Sequence, residues 1–427
     1  MKISGKAKSM SQVSVFSEFG TLEGVIVHTP GAEVEKMTPL SAKRALYSDI
    51  LNLSVAREEY SLFKGVLSRF SPVYEVKDLL SAVLDNTKVK RQLLSKICDC
   101  EGTPYLFDYL LSQSADETTR LLLEGVDITR DNLTRFLSAE RYSLAPLHNF
   151  FFTRDASMSI FDNVLIAKMA NSIRFRESII MDAIFRHHPL FSVETINPSE
   201  TVHRTLLPQL TIEGGDVLVL SDHVLLVGTG SRTSTHGVDF IIEELKKRKQ
   251  PKQFIIVQEL PHSPESFIHL DMVFTVLDQE HCMIYKPLIL GQNRYRTILI
   301  SITYDKVESI SIEQNIPEAL GKIGYHFNMV YCGGGDDWNQ EREQWHSGAN
   351  FFALSPGIVV GYERNVHTIE ELSKHGFDVV TAKNIIGNKV GLPTSKTVIT
   401  IPGAELARGG GGARCMSMPV KRKRVDW

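Results

Sequence analysis

At 427 residues, with 43% hydrophobic and 23% charged side chains, the chain suits one large domain or a few ordinary ones around a substantial core. A net charge of −3 gives no electrostatic ground for a nucleic-acid partner or an anionic membrane. The 5 cysteines are odd in number and scattered, which excludes a disulfide framework and points to a reducing compartment.

The N-terminal residues 1–12 lack the apolar core of a signal peptide, and no run reaches the roughly 18 apolar residues that span a bilayer. The expectation is a cytoplasmic protein with no membrane partner. Val25 to Val27 reads as a short strand closed by Thr29-Pro30-Gly31. From Pro39 to Ser71 the apolar spacing of Leu46, Ile50, Leu53, Ala56 and Tyr60 is helical. Leu79 to Leu137 carries leucines at helical spacing, with turn signals at Glu101-Gly102-Thr103-Pro104, and predicts several short helices. We expect a helical insertion over 75–145, packed within one catalytic domain spanning 1–427.

Beyond Asn149 a unit repeats. Asp216–Gly228 reads as two apolar strands around a Ser-Asp-His turn, followed by a loop bearing Arg232 and a helix from Val238 to Lys247. Phe351–Gly361, Arg364 and a helix from Ile369 to Lys374 repeat that order. Ser157–Ile166, then Arg174 and Arg176, then a helix through Ile184, form a looser copy. Cys282–Leu290 reads as a further hairpin, and the Val25 strand as a fifth unit. Strand–turn–strand–loop–helix recurring about five times predicts an α/β fold with radial repetition. A dinucleotide-binding parallel sheet is excluded, because no Gly-x-Gly-x-x-Gly follows the first strand.

Four stretches carry candidate chemistry. In Asn149-Phe150-Phe151-Phe152-Thr153-Arg154-Asp155 a carboxylate follows three aromatic residues, which suits a cation in a dry pocket. In Glu213-Gly214-Gly215-Asp216 two carboxylates flank a turn at the start of a hairpin. Leu270, Met272, Phe274 and Val276 alternate as the buried face of a strand, which would place His269 and Asp271 together on the opposite face. Finally, Cys415 follows Gly409–Gly412 and adjoins Arg414, a cation expected to favour the thiolate. We read Cys415 as a nucleophile on a flexible glycine loop.

Cys98 and Cys100 have no second pair or histidine cluster nearby, and no other His/Cys/Asp group has ligand spacing, so neither metal nor cofactor is expected. No Gly-x-Ser-x-Gly elbow is present. Carboxylates in a pocket suit a cationic reacting group, and Arg174, Arg176, Arg232 and Arg414 suit a carboxylate elsewhere on the same molecule. Arginine has both ends. The run Lys421–Arg424 reads as a solvated charge cluster rather than a nuclear signal.

Phe152-Thr153-Arg154-Asp155, Glu213–Asp216, His269-Leu270-Asp271, Arg342-Glu343-Gln344-Trp345 and Arg414–Pro419 stand in the order of the motifs of arginine deiminases. The chain resembles that family from Ser17-Glu18-Phe19-Gly20 onward. The resemblance implies a five-bladed α/β propeller of pseudo-fivefold ββαβ repeats. It also implies hydrolysis of L-arginine to citrulline and ammonia, the first step of arginine catabolism, in a homo-oligomer (dimer or tetramer). By matching motifs, Cys415 resembles the nucleophile, and Asp155 and Asp271 the groups that hold the guanidinium. His269 resembles the proton donor and acceptor, and Glu213 its support. Arg174, Arg232 and Arg414 resemble the carboxylate-binding residues, with Asn149 and Phe152 lining the pocket. The chain departs from the family pattern at His148 and at Gly410. An agmatine hydrolase, an amidinotransferase and an inactive arginine-binding relative are the alternatives.

Overall fold

The computed structural model describes residues 13–39, 47, 49–203 and 205–427. Leu46, part of the expected early helical pattern, lies outside them. Asn52 opens the 18-residue helix Leu53–Phe70 by accepting the backbone N–H of Ser54 and Val55, which satisfies two of the donors that a helix start leaves free. Ala56, Tyr60, Phe63 and Leu67 then recur every three or four residues and bury one face in the main core.

The leucine-rich stretch forms the helices Val76–Leu84, Thr87–Cys100, Phe107–Ser112, Ala115–Glu124 and Leu133–Leu137. Asn86 and Ser114 cap two of them through side-chain oxygens. Leu80, Leu94, Ile97, Leu110 and Leu122 share a core with Ile180, Ile184 and Phe185 of the helix Phe175–His187, so these helices pack on the main body. No helix among the described residues is long and apolar enough to cross a membrane.

The sheets are mixed, and their order is regular. Ser157–Ile160 pairs antiparallel with Asn163–Ile166; the chain then crosses over through Phe175–His187 and adds Thr195–Ile196 in parallel. Val217–Ser221, Val224–Thr229, helix Thr235–Lys247 and Gln253–Glu259 repeat that path. Phe352–Ser355, Ile358–Tyr362 and helix Val366–Lys374 begin the same way, but the chain first lays Asp378–Thr381 at the sheet edge and then inserts Thr397–Ile401 in parallel between it and Ile358–Tyr362. The strands Thr297–Thr303 and Lys306–Glu313 extend the second of these sheets, whose edge is Lys306–Glu313. A hairpin was expected at Cys282–Leu290; it forms instead between Phe274–Val276 and His281–Ile284. Lys286–Ile289 turns into a short helix with Pro287 in its first turn, where the missing N–H costs nothing. Asn328–Tyr331 completes that sheet in parallel with His281–Ile284.

The first unit is split along the chain. Leu22–Val27 pairs in parallel with Val73–Glu75, while its antiparallel neighbour is Met418–Arg422, from the far end of the sequence. Phe19, fully buried beside this sheet, meets Trp427 edge-on at 5.3 Å between ring centroids. Trp427 also meets Tyr325 at 4.6 Å. The strand that follows Cys415 is therefore held by the N-terminal strand. Phe19→Ala removes a full buried ring at this junction and should cost about 3–5 kcal/mol, read as a lower urea midpoint with an unchanged m-value; a loss below 1 kcal/mol would mean the two ends are held elsewhere.

Candidate active site

Cys415 lies in the turn before Met418–Arg422, and its position is set by Asn350, which the sequence did not single out. The Asn350 Oδ1 accepts the backbone N–H of Arg414 at 3.0 Å and of Cys415 at 3.2 Å. Its Nδ2 donates to the carbonyl of Asp271 at 3.0 Å. One amide thus ties the cysteine turn to the segment carrying Asp271. Cys415 Sγ stands 3.7 Å from Asp271 Oδ2 and 3.8 Å from Met272 Sδ. Gly411 packs so closely that a Cβ there would come within 2.5 Å of the Phe152 ring and 3.0 Å of Cys415 Cβ.

The expected strand over 270–276 starts only at Phe274, because Leu270–Met272 forms a 3₁₀ turn. Leu270 and Met272 are buried as the alternation predicts, but His269 and Asp271 are buried too and do not form an open face. The turn is pinned twice. Asp216 Oδ1 accepts the N–H of Leu270 at 2.9 Å, and Gln344, from the Arg342–Trp345 motif, donates to the carbonyl of Met272 at 2.6 Å.

His269 Nε2 then meets Glu213 Oε2 at 2.9 Å, and Nδ1 lies 3.7 Å from Asp155 Oδ1. Burial disfavours the imidazolium, yet Asp155 and the Glu213 hydrogen bond outweigh it and raise the His269 pKa to about 9. Burial likewise opposes the Glu213 carboxylate, but His269 and Arg232 hold its pKa down to about 2. Glu213 Oε1 is anchored separately, by the N–H of Ala170 at 2.9 Å. The ring fits because residue 215 is glycine; a Cβ there would stand 2.5 Å from His269 Nδ1.

The arginines are placed differently from the sequence expectation. Arg174 Nη1 pairs with Asp155 Oδ2 at 2.6 Å, while Nη2 and Nε bind the Glu177 carboxylate at 2.7 and 3.1 Å. Arg414 Nη1 pairs with Asp271 Oδ2 at 2.6 Å, and its Nη2 lies 3.0 Å from Glu18 Oε2. Two of the cations expected to bind a substrate carboxylate are thus committed to carboxylates of the protein. Arg232, also buried, is the loosest, with Nη1 3.9 Å from Glu213 Oε1. Arg176 points away, donating to the Ala145 carbonyl and lying 3.6 Å from Glu101. Phe152 is buried and packed on Phe151, with ring centroids 4.1 Å apart, and Asn149 is buried near it in the same turn.

The surroundings of Cys415 oppose the thiolate expected from Arg414. Burial, Asp271 and Asp155 push the Cys415 thiol well above the ordinary thiol range; Arg414 opposes them weakly, its charge already balanced by Asp271 and Glu18. Cys415 thus lies against the carboxylate of Asp271 rather than beside an uncommitted cation.

The mixed α/β fold is shared with solved amidinotransferases. An amidinotransferase of the saxitoxin biosynthetic pathway from Microseira wollei aligns at a TM-score of 0.53 and 14% identity, covering 97% of this chain and 98% of that one. An inosamine-phosphate amidinotransferase from Streptomyces griseus aligns at 0.51 and 14%, with the same coverage. At that identity the likeness speaks for the fold alone. The sequence comparisons go further. The profile of the arginine deiminase family matches residues 43–422. An arginine deiminase of Borrelia recurrentis is 32% identical over 97% of this chain and 99% of its own length. One from Limosilactobacillus reuteri is 31% identical over 97% and 98%. The chain belongs to the arginine deiminase family.

The protonation state has a direct readout. Alkylation of Cys415 by iodoacetamide, followed by peptide mass spectrometry, should be slow near neutral pH and rise only above the ordinary thiol pKa of about 8.5. Exposed Cys100 provides a reference within the same protein. Full labelling of Cys415 at pH 7 would mean that the thiolate is already present.

Proposed function

We propose that this protein hydrolyses L-arginine to L-citrulline and ammonia through a covalent intermediate on Cys415. The observation that carries the reading is the grouping of one thiol, one imidazolium and the carboxylates of Asp155 and Asp271 in a buried site. Two carboxylates beside a thiol suit a planar cation whose central carbon is to be attacked. A guanidinium seated on Asp155 and Asp271 cancels the negative charge that holds the Cys415 proton, so substrate binding itself favours the thiolate, the thiol proton passing to solvent.

The thiolate attacks the guanidinium carbon. His269, held protonated by Glu213, gives its proton to the departing nitrogen, which leaves as ammonia. The neutral imidazole then takes a proton from water as that water attacks the S-alkylthiouronium carbon. As the adduct collapses its hydroxyl proton passes to the leaving sulfur, so citrulline departs, Cys415 is again a thiol and His269 again carries a proton. Glu213, fixed by Ala170, keeps the ring oriented through both steps.

The five hairpin–helix–strand units also support a five-bladed α/β propeller whose first blade is completed by Met418–Arg422. The helices over 75–145 are then an insertion in one catalytic domain. The loops at one end of such a ring bring Asp155, Glu213, Asp271 and Cys415 together from distant parts of the sequence.

The pairing of Arg174 and Arg414 within the protein leaves fewer cations free for a substrate carboxylate, so hydrolysis of agmatine, which has none, is the second reading. Incubation with arginine, agmatine and dimethylarginine, following ureido product and ammonia together, separates them. Equimolar citrulline and ammonia from arginine alone is expected, and turnover of agmatine in preference to arginine would overturn the assignment. Cys415→Ser should retain arginine binding by calorimetry and lose turnover by several orders of magnitude; near-normal turnover would remove Cys415 from the chemistry. Arg414→Ala strips Asp271 of its partner and should lower kcat for whichever guanidine is turned over, with little change in KM. A rise in KM for arginine alone would return Arg414 to the carboxylate site.

A further inference from the structure

A cavity of about 260 Å³ opens between the helices Thr87–Cys100 and Phe175–His187 and the segment 166–169, and no residue of the candidate active site lines it. Its walls are mainly apolar, from Ile166, Met169, Phe175 and Ile179. Against these walls the chain places a cation with no carboxylate partner among the described residues. Lys168 is half-buried, and its Nζ lies 4.0 Å from the centroid of the Phe175 ring. The ring face offsets part of the ammonium charge but does not replace an anion. The acids nearby are taken or neutral. Glu101 faces Arg176 at 3.6 Å, and Asp182 and Glu200 lie 3.5 and 3.4 Å from Lys96, the other cation on the cavity wall. The Cys100 thiol acts on Lys168, but burial raises its pKa, so near neutral pH it brings no counter-charge.

A hydroxyl points to the same place. Ser178, 6% exposed, lines the cavity from helix Phe175–His187, and its Oγ has no hydrogen-bond partner. A serine on a helix commonly returns its hydroxyl to a carbonyl one turn back, and this one does not. A buried donor left unpaired is costly, and an acceptor in the cavity would remove that cost.

We propose that this cavity is a binding site for a small monocarboxylate with a short apolar body, its carboxylate held by the Lys168 ammonium and the Ser178 hydroxyl. The ligand class follows from the lining. One uncompensated ammonium matches one negative charge, whereas a phosphate dianion would leave charge unmatched at a half-buried position. The volume falls below the roughly 300 Å³ at which sites for cofactor-sized molecules begin, which excludes a nucleotide. The apolar walls cover a hydrocarbon chain, and the water they exclude strengthens the attraction between carboxylate and Lys168.

The test uses the full chain with hexanoate as the probe and hexan-1-ol as its uncharged counterpart. Cys100 is exposed and lines the same cavity, so its alkylation by iodoacetamide, followed by peptide mass spectrometry, reports occupancy there. Hexanoate should slow Cys100 alkylation saturably, by at least about tenfold, and hexanol at the same concentration should not. Lys168→Gln should raise the hexanoate concentration for half-protection by at least about tenfold. That substitution leaves the Lys168 carbonyl in place, with its bond from the Ile212 N–H at 2.9 Å. Equal protection by hexanol would make the cavity merely apolar and overturn the proposal. Unchanged Cys100 alkylation at every hexanoate concentration, or an unchanged midpoint in Lys168→Gln, would overturn it as well. Should Lys168→Gln not fold, the comparison of hexanoate with hexanol on the wild type decides alone. Every readout is of binding, so the outcome stands apart from whether arginine is hydrolysed.

Discussion

Ionised groups in a dry interior must be paired, and this site is built around that constraint. Asp155, Glu177, Glu213, Asp271 and Glu18 are all buried, as are Arg154, Arg174, Arg232, His269, Arg414 and Arg422. Each carboxylate lies against at least one of the cations, because an uncompensated charge at such a depth costs several kcal/mol. The pairing decides protonation. Asp155 and Glu213 face His269 and raise its pKa to about 9, while burial, Asp271 and Asp155 push the Cys415 thiol up. One set of carboxylates thereby favours the charged imidazolium and opposes the thiolate.

Beneath Cys415 the balance runs the other way. Glu18 faces Arg414, Arg154 and Arg422, and burial together with mutual repulsion lowers Arg154 to about 10 and Arg422 to about 9. Arg154 donates through Nε to the carbonyl of Arg414, and through its backbone N–H to that of Cys415. This cationic floor faces the thiol from below while carboxylates flank it. The fold brings these groups together by running Met418–Arg422 against Leu22–Val27, so that Glu18 and Arg422, from opposite ends of the chain, meet.

Positioning relies on a few neutral amides and backbone contacts. Asn350 joins the cysteine turn to Asp271, Gln344 holds the 3₁₀ turn between His269 and Val273, and Ala170 fixes Glu213. None of these groups ionises, so they can hold the reacting groups in register without altering the charge balance. Gln344 stands within a motif visible in the sequence. Asn350 does not, since a lone asparagine before Phe351 carries no local signal.

The sequence by itself determined the units and the chemical inventory. Hairpin alternation at Val217–Thr229 and helical spacing at Thr235–Lys247 are local patterns, legible because backbone periodicity is set over a few residues. Cys415, His269, Asp155, Glu213 and Asp271 were legible as motifs for the same reason. Where local pattern competed with tertiary contacts it misled: the alternation at Leu270–Val276 read as a strand, but Asp216 and Gln344 capture its first half as a turn. Cys282–Leu290 read as a hairpin, although its first strand pairs backward with Phe274–Val276. Only the tertiary structure decided the charge states and the partners of the arginines. Arg174 and Arg414 were recognisable as cations near a carboxylate-rich site, but Arg414 finds Glu18 and Asp271 at 396 and 143 residues' remove, and Arg174 meets Asp155 only because the hairpin between them folds back. Pairing and desolvation act through space, and no spacing along the chain encodes them.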